Sequence, residues 1–302
     1  MSTPKPQEGL IHRWRHLFLR RISQVATLLL FFGTAHWGWS LFGQPLLLGN
    51  LSASDLAGLF PMADPFALLQ ILATGAWPIT EVLIGALIVL GFYAILGGRV
   101  FCAWVCPVNL VTDAAAWLRR RLGVRDVAYL PRSTKYVSLG LALLLSAATG
   151  LTAFEVLSPI GMAHRELIYG LGMGLTALLG IFLFDLILFR HGWCGHLCPL
   201  GAFYSLLGRT ARIRIHYHEP SCTHCMECVA VCPEPQVLNL KKMASAGLVA
   251  SGDCSNCGRC IPACPEGSLG FGLRGGATRT TSLAVDSNSQ KETTIPQRRN
   301  IP

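Results

Sequence analysis

An α-helical membrane protein, with four transmembrane helices and a C-terminal cytoplasmic α+β domain that holds metal, is the fold class this sequence predicts. Three observations predict it. Of the 302 residues, 52% are hydrophobic and only 14% charged, against roughly 25% charged in soluble domains. Four stretches, Ile22 to Phe42, Trp77 to Leu96, Tyr136 to Ala153 and Leu167 to Phe189, approach the roughly 20 apolar residues that cross a bilayer. After them, one cysteine run occurs twice. The implied organisation is an N-terminal cytoplasmic segment (1–21), a membrane domain (22–200), a cysteine-rich domain (201–274) and a polar tail (275–302) that reads as disordered.

The basic residues predict the topology. Lys5, Arg13, Arg15, Arg20 and Arg21 precede the first stretch, and the next Lys or Arg is Arg99. Arg99, Arg119, Arg120, Arg121, Arg125, Arg132 and Lys135 follow the second, Arg165 stands alone after the third, and basic residues return at Arg190. The positive-inside rule then puts both termini and the middle loop in the cytoplasm of a bacterial inner membrane. The net charge of +9 is explained by this asymmetry. No basic stretch is interleaved with aromatics, so nucleic acid is not the expected partner. Arg20-Arg21 before an apolar stretch also fits a twin-arginine export signal; the length of that stretch and the lack of an Ala-x-Ala-like site argue against it.

After the second and fourth stretches the same pattern appears, an aromatic residue and then C-x3-C-P: Phe101-Cys102 to Cys106-Pro107, and Trp193-Cys194 to Cys198-Pro199. The cysteines of one copy lie 92 positions from those of the other, as in a duplicated unit. On a helix, positions i and i+4 share a face, so Cys102, Cys106, Cys194 and Cys198 can make a four-thiolate site. That site would be an additional metal centre or a redox-active dithiol pair; the alternative is four buried structural thiols.

The C-terminal run is C-x2-C-x2-C-x3-C-P: Cys222, Cys225, Cys228, Cys232, then Cys254, Cys257, Cys260, Cys264. This is the ligand pattern of bacterial two-cluster ferredoxins, in which the fourth cysteine of each run serves the other cluster. Three cysteines on a tight loop wrap three corners of a cuboidal cluster, and the proline turns the chain away. The predicted ligand sets are Cys222, Cys225, Cys228 and Cys264 for one [4Fe–4S] cluster, and Cys254, Cys257, Cys260 and Cys232 for the other. Four-thiolate zinc sites favour two separated pairs, and a reducing cytosol argues against disulfides.

Ionisable groups inside the stretches are candidates for proton handling. Asp185 lies near the cytoplasmic end of the fourth, and His36 lies beside Trp37 and Trp39 towards the outer end of the first. Quinol oxidation needs a proton acceptor and an electron exit, and either residue can serve. For Asp185 the alternative is a hydrogen bond between helices or to Arg190, and for Trp37 and Trp39 it is an aromatic belt. Glu81, Glu155, Glu166, His164 and Arg165 read as outer and interfacial. The Leu56–Ala73 segment, broken by Pro61 and Pro65, reads as an outer loop on the membrane surface. Gly170-x-Gly172-x-Gly174 reads as close helix packing rather than a dinucleotide loop.

The two C-x3-C-P repeats, Arg190-His191-Gly192-Trp193-Cys194-Gly195-His196, the Trp117–Arg121 run and Cys232-Pro-Glu-Pro235 together resemble the NapH family. That family provides ferredoxin-type quinol dehydrogenase membrane subunits for periplasmic nitrate reductase systems. The resemblance implies a component that takes electrons from the quinone pool and passes them on. The recipients would be a periplasmic iron–sulfur subunit resembling NapG and, in some systems, a tetrahaem cytochrome resembling NapC. The residues alone support less: an electron carrier embedded in lipid. They leave open a redox-sensing or maturation factor, and a metal reductase of the oxidase-assembly type.

Overall fold

The computed structural model describes residues 10–41, 43–124, 127, 130–170 and 172–275. The expected tail (275–302) and the first half of the N-terminal segment therefore lie almost wholly outside the described residues. The chain begins with α1 (Leu10–Trp37). Arg15, Arg20 and Arg21 are thus inside the first helix rather than before it.

Short strands follow: β1 (Ser40–Leu41), β2 (Gln44–Pro45), β3 (Leu47–Gly49), β4 (Ala53–Leu56) and β5 (Phe60–Ala63), then α2 (Pro65–Ala73). β3, β4 and β5 form an antiparallel meander. This corrects the reading of Leu56–Ala73 as a surface loop. Pro65 is no obstacle, because proline suits the first turn of a helix, and Asp64 caps α2 by accepting the Phe66 N–H. Phe66 and Gln70 are fully buried. A Cβ on Gly85 would lie 2.9 Å from the Pro61 carbonyl oxygen, so glycine lets the insertion press against a long helix.

The remaining long helices are α3 (Thr80–Leu96), α6 (Thr134–Thr149) and α9 (Gly174–Ile187). Among the described residues only α1 is both long and apolar enough to cross a membrane by itself. The other three are apolar but shorter than their sequence stretches: α3 starts only after Trp77-Pro78-Ile79, and glycine cuts the other two. α6 ends at Gly150 (φ 69°), and the fourth stretch is broken at Gly170 (φ 71°) between α8 (Pro159–Tyr169) and α9. Gly170 and Gly174 therefore do not share a helix face. Gly174 instead starts α9 close against α8, where a Cβ would lie 2.6 Å from the Met162 carbonyl oxygen. α7 (Ala153–Leu157) joins α6 to α8.

The 92-residue repeat is visible in three dimensions. α3 is followed by α4 (Val100–Trp104) and α5 (Val108–Leu122); α9 is followed by one π-helical turn (Trp193–Leu197) and α10 (Pro199–Leu207). The two repeats pack together with α2 and α6 around one apolar core that contains Tyr93, Phe101, Cys106, Cys198 and Tyr204. Outward from this core, Phe18, Leu87, Phe92, Leu144, Leu175 and Leu179 are exposed.

The C-terminal domain is small and α+β. β6 (Ile213–Tyr217) pairs antiparallel with β7 (Leu269–Leu273), and α11 (Glu227–Val231), α12 (Leu240–Ala246) and α13 (Cys260–Ala263) lie between them in sequence. Ile215, Tyr217, Met243 and Val249 form its core.

Candidate metal centres

In the C-terminal domain the two runs fold alike. His224 and Met226 take left-handed conformations (φ 55° and 65°), and so do Asn256 and Gly258 (φ 48° and 71°), 32 positions later in each case. These two inversions per loop curl the chain around its own sulfurs. His224 N–H points at Cys222 Sγ (3.4 Å), and Ser268 N–H points at Cys264 Sγ (3.3 Å). Such donors stabilise thiolate charge.

Each loop closes a cavity. Cys222, Cys225, Cys228 and Cys264 line one, an empty space of about 370 Å³ counting its open mouth, walled by Tyr217 and Leu240. Cys254, Cys257, Cys260 and Cys232 line the other, about 340 Å³ on the same count, walled by Ile215 and Val237. The fourth cysteine of each run thus lies with the first three of the other. All twelve cysteines are unbridged. Among the described residues no three His, Cys, Asp or Glu side chains converge as they would on a single ion. Four spread thiols around an apolar hollow suit a cuboidal cluster better than a zinc ion.

The two cavities differ in their surroundings. Cys225 is exposed, whereas Cys232, Cys257 and Cys260 are buried. The second cavity is clamped to the helical domain. Arg99, 3% exposed, donates to Glu234 Oε1 at 2.8 Å, to the Asp253 carbonyl at 3.1 Å and to the Cys194 carbonyl at 3.0 Å. Glu234 also pairs with Arg132, and Asp253 with Lys135 and Ser205. Asp113 gathers Arg20, Arg21 and Arg259. Burial pushes the Asp113 carboxyl up, but Arg259 and Arg20 outweigh it and hold the pKa at about 2. Asn256 donates to the Leu96 and Ile213 carbonyls at 3.2 and 2.9 Å and accepts from the Trp104 indole at 3.2 Å.

The repeat explains part of this clamp. Asp113 and Ser205 occupy equivalent positions 92 residues apart, and both hold the loop of the second cavity. Arg99 and the basic residues near it carry a topology signal in the sequence, and the structure adds a structural use. Sequence reasoning missed Glu234, Asp253 and Arg259 as docking residues. Their one signal was proximity to the cysteines, since each stands within two positions of one.

Cys102, Cys106, Cys194 and Cys198 all lie in or against the helical core, and their charges bear on one another. Asp185 is fully buried, and its Oδ1 accepts the Trp193 N–H at 2.9 Å. It thereby holds the start of the turn that carries Cys194. His36 belongs to α1. It is exposed near the far end of α1, with Nε2 3.1 Å from the Leu167 carbonyl. The structure does not bring Asp185 and His36 together. His164, read as an outer-loop residue, is fully buried with its ring edge-on to Phe31.

Comparison with known proteins agrees with this division. The 4Fe-4S binding domain family matches residues 79–125 and 171–217, two segments offset by the same 92 positions as the cysteine pairs, and the 4Fe-4S dicluster domain family matches 221–268. No solved structure matches the chain significantly. The methylamine utilization ferredoxin-type protein MauN of Methylorubrum extorquens is 42% identical over 248 residues, covering 82% of this chain and 85% of the relative. The ferredoxin-type protein NapH of Haemophilus influenzae is 45% identical (74% of this chain, 77% of the relative), and that of Escherichia coli 44% (75% and 77%). A duplicated C-x3-C-P core joined to a dicluster domain, at this identity and over this much of the chain, places the protein in the family of ferredoxin-type proteins that includes NapH and MauN.

Proposed function

We propose that this chain is a membrane-embedded electron carrier that accepts electrons from quinol at its helical domain and delivers them through its C-terminal domain. One observation carries the reading. The Arg99 network ties the four-cysteine core (through Cys194) directly to the loop of the second cavity (through Glu234 and Asp253). The first cavity, with exposed Cys225, then stands at the outer edge. Iron–sulfur clusters held at these sites would supply one-electron carriage. The Arg99 contacts and the exposure of Cys225 support the order core, buried cavity, exposed cavity. The proposed ligands are Cys254, Cys257, Cys260 and Cys232 for the inner cluster and Cys222, Cys225, Cys228 and Cys264 for the outer, with a third centre on Cys102, Cys106, Cys194 and Cys198.

A lipid setting is supported by the outward apolar faces of α1, α3, α6 and α9, which exceed what a soluble surface carries. These are the four spans of the proposal, with both termini cytoplasmic. α3, α6 and α9 need their flanking turns to complete the crossing, because 14–17 residues rise only about 21–26 Å. Quinol gives up two electrons and two protons, and either His36 or Asp185, which the structure does not bring together, is the proposed proton acceptor. The NapH and MauN relatives belong by name to different systems, so the partner decides which is served. Our reading is a periplasmic iron–sulfur subunit resembling NapG, with a tetrahaem cytochrome resembling NapC in some systems, leading to nitrate reductase. Cytoplasmic clusters are separated from such a recipient by about 30 Å of hydrocarbon, and quinol itself or the four-cysteine centre would have to bridge that gap.

The test is iron and acid-labile sulfide per chain, prepared anaerobically in detergent, with EPR after addition of a quinol analogue. About twelve irons with quinol-dependent signals are expected for three cubane clusters, and about eight would leave the four-cysteine core without one. Clusters that quinol cannot reduce, with partner subunits present, would overturn the quinol dehydrogenase reading in favour of a sensing or maturation role.

A further inference from the structure

The insertion between α1 and α3 carries a buried acid into the helical core. Asp64 is 7% exposed. Its Oδ1 accepts the Tyr204 hydroxyl at 3.1 Å. The Tyr204 ring, 1% exposed, packs edge-on to Tyr93 and stacks on Phe101 at 5.3 Å. Phe101 precedes Cys102, and charge at Cys102 is felt at both tyrosines.

In the other direction, Asp64 N–H donates to the Ser52 carbonyl at 2.8 Å. The Ser52 hydroxyl donates to Glu155 Oε2 at 2.5 Å. Glu155 lines an open cavity of about 510 Å³ with Asn50 and Arg165. That cavity is at the far end of α6, whose near end holds Lys135 against Asp253. Beside this path Gln70, fully buried, binds the Phe154 N–H through Oε1 at 2.9 Å, while its Nε2 finds no acceptor among the described residues. Polar side chains are thus spaced from Tyr204, which stacks on Phe101 beside the cysteine core, to the opposite face, with the step from Asp64 to Ser52 made by backbone groups.

We propose that Asp64 is a redox-linked proton site: an electron arriving at the four-cysteine centre is matched by a proton arriving at the Asp64 carboxylate, exchanged with the far-side cavity through Glu155. The proposal rests on the reading of those cysteines as a redox centre. An added negative charge in a low-dielectric core raises the proton affinity of nearby carboxylates. The electron remains at the centre, the proton forms the O–H bond on Asp64, and no other bond changes. Arg99 and Lys135 act on Cys102 and Arg165 acts on Glu155, so they offset part of the added charge, whereas no cation is among the main influences on Asp64 itself. The titratable groups facing Asp64 are Glu155, Tyr204 and Tyr93. Burial, with Glu155 next, raises the Asp64 carboxyl to about 7, and burial also raises Glu155.

The experiment is a spectroelectrochemical titration of the iron-loaded full chain in detergent at several pH values from 6 to 9. One centre in the wild type is expected to lose up to about 59 mV per tenfold fall in proton concentration above pH 7, for one electron coupled to one proton. Asp64→Asn, which keeps an acceptor for Tyr204 and Phe66, is expected to flatten that slope with iron content unchanged. Tyr204→Phe removes a donor that favours the carboxylate, so it moves the sloping window to higher pH; it also serves as the test if Asp64→Asn does not fold. Glu155→Gln is expected to keep the slope and slow proton exchange. A slope that survives in Asp64→Asn, or a wild type with no slope in a chain that holds the third centre, overturns the proposal alone. About eight irons per chain overturns it together with the reading of the four-cysteine centre.

Discussion

In the loop of Cys222 the two left-handed residues, His224 and Met226, are exposed, and Cys225 between them is open to solvent. In the loop of Cys254 the matching positions are Asn256 and Gly258, and every neighbour is protein. Asn256 is tied to Leu96 and Ile213, and Gly258 lies against His16 of α1, where a Cβ would come within 3.0 Å of the ring. The motif and backbone are the same, yet one loop is an anchor and the other is free to meet a partner. Cysteine spacing dictates the fold of a loop around its sulfurs, and the residues between the cysteines dictate what that loop touches.

Substitution of a cysteine in each loop is the strongest way to separate them. Cys225→Ser and Cys257→Ser should each remove about four irons. Only Cys257→Ser should also loosen the C-terminal domain from the helices, read as faster proteolysis within residues 208–213. Equal protease sensitivity in the two variants would erase the distinction.

Next in size is the clamp itself. Arg99→Met leaves buried Glu234 with Arg132 and Gln236 and takes a donor from the Asp253 and Cys194 carbonyls. Because Arg132 still compensates the charge, the expected cost is below the about 3–5 kcal/mol of an uncompensated buried pair. The check is the denaturation midpoint. Met226→Ala, on the free loop, should change it by less than about 0.5 kcal/mol.

Smaller effects sharpen the comparison. Gly258→Ala should cost about 1 kcal/mol or more, because L-residues disfavour the left-handed region and His16 must move. Met226→Gly, at the matching position, should leave stability nearly unchanged or raise it. Asp185→Ala leaves the buried Trp193 N–H unpaired, at a cost of about 1–3 kcal/mol, whereas Asp185→Asn keeps an acceptor. If Asp185 takes protons from quinol, Asp185→Asn slows that reaction without changing stability; unchanged rates would return it to the positioning role.

A further difference is expected with pH. The Asp113 carboxyl is held at about 2, below its ordinary 3.8. A depressed carboxylate stabilises the fold above its unfolded pKa, and that stability is lost as pH falls from about 4 towards 2. The term is on the order of 2 kcal/mol. Denaturant midpoints between pH 5 and 3 should fall in the wild type and fall less in Asp113→Asn.

Much of the candidate site was legible in the cysteine spacing, because a cuboidal cluster limits how ligands can be arranged along a chain. Cys264 and Cys232 could be set beside the opposite triplets before any coordinates. The 92-residue duplication was equally visible. The helical domain was read less well. Hydropathy sees apolar length, and it read Leu167–Phe189 as one helix where Gly170 breaks it. It also put Asp64 on a surface, because two prolines in an apolar stretch look the same in a loop as they do at the start of a buried helix.

The sequence by itself determined how the cysteines are spaced along each loop, that the core is duplicated, and that apolar helices surround it. These are properties of residue type and local spacing. Tertiary structure alone decided that Arg99 joins Cys194 to Glu234 and Asp253, that Asp113 and Ser205 hold the same loop, and that Asp64 reaches Tyr204 across 140 positions of chain. Ion pairs and hydrogen bonds of this kind have no periodicity and no fixed separation along the chain. They exist only where packing removes water and leaves a buried charge to find its partner.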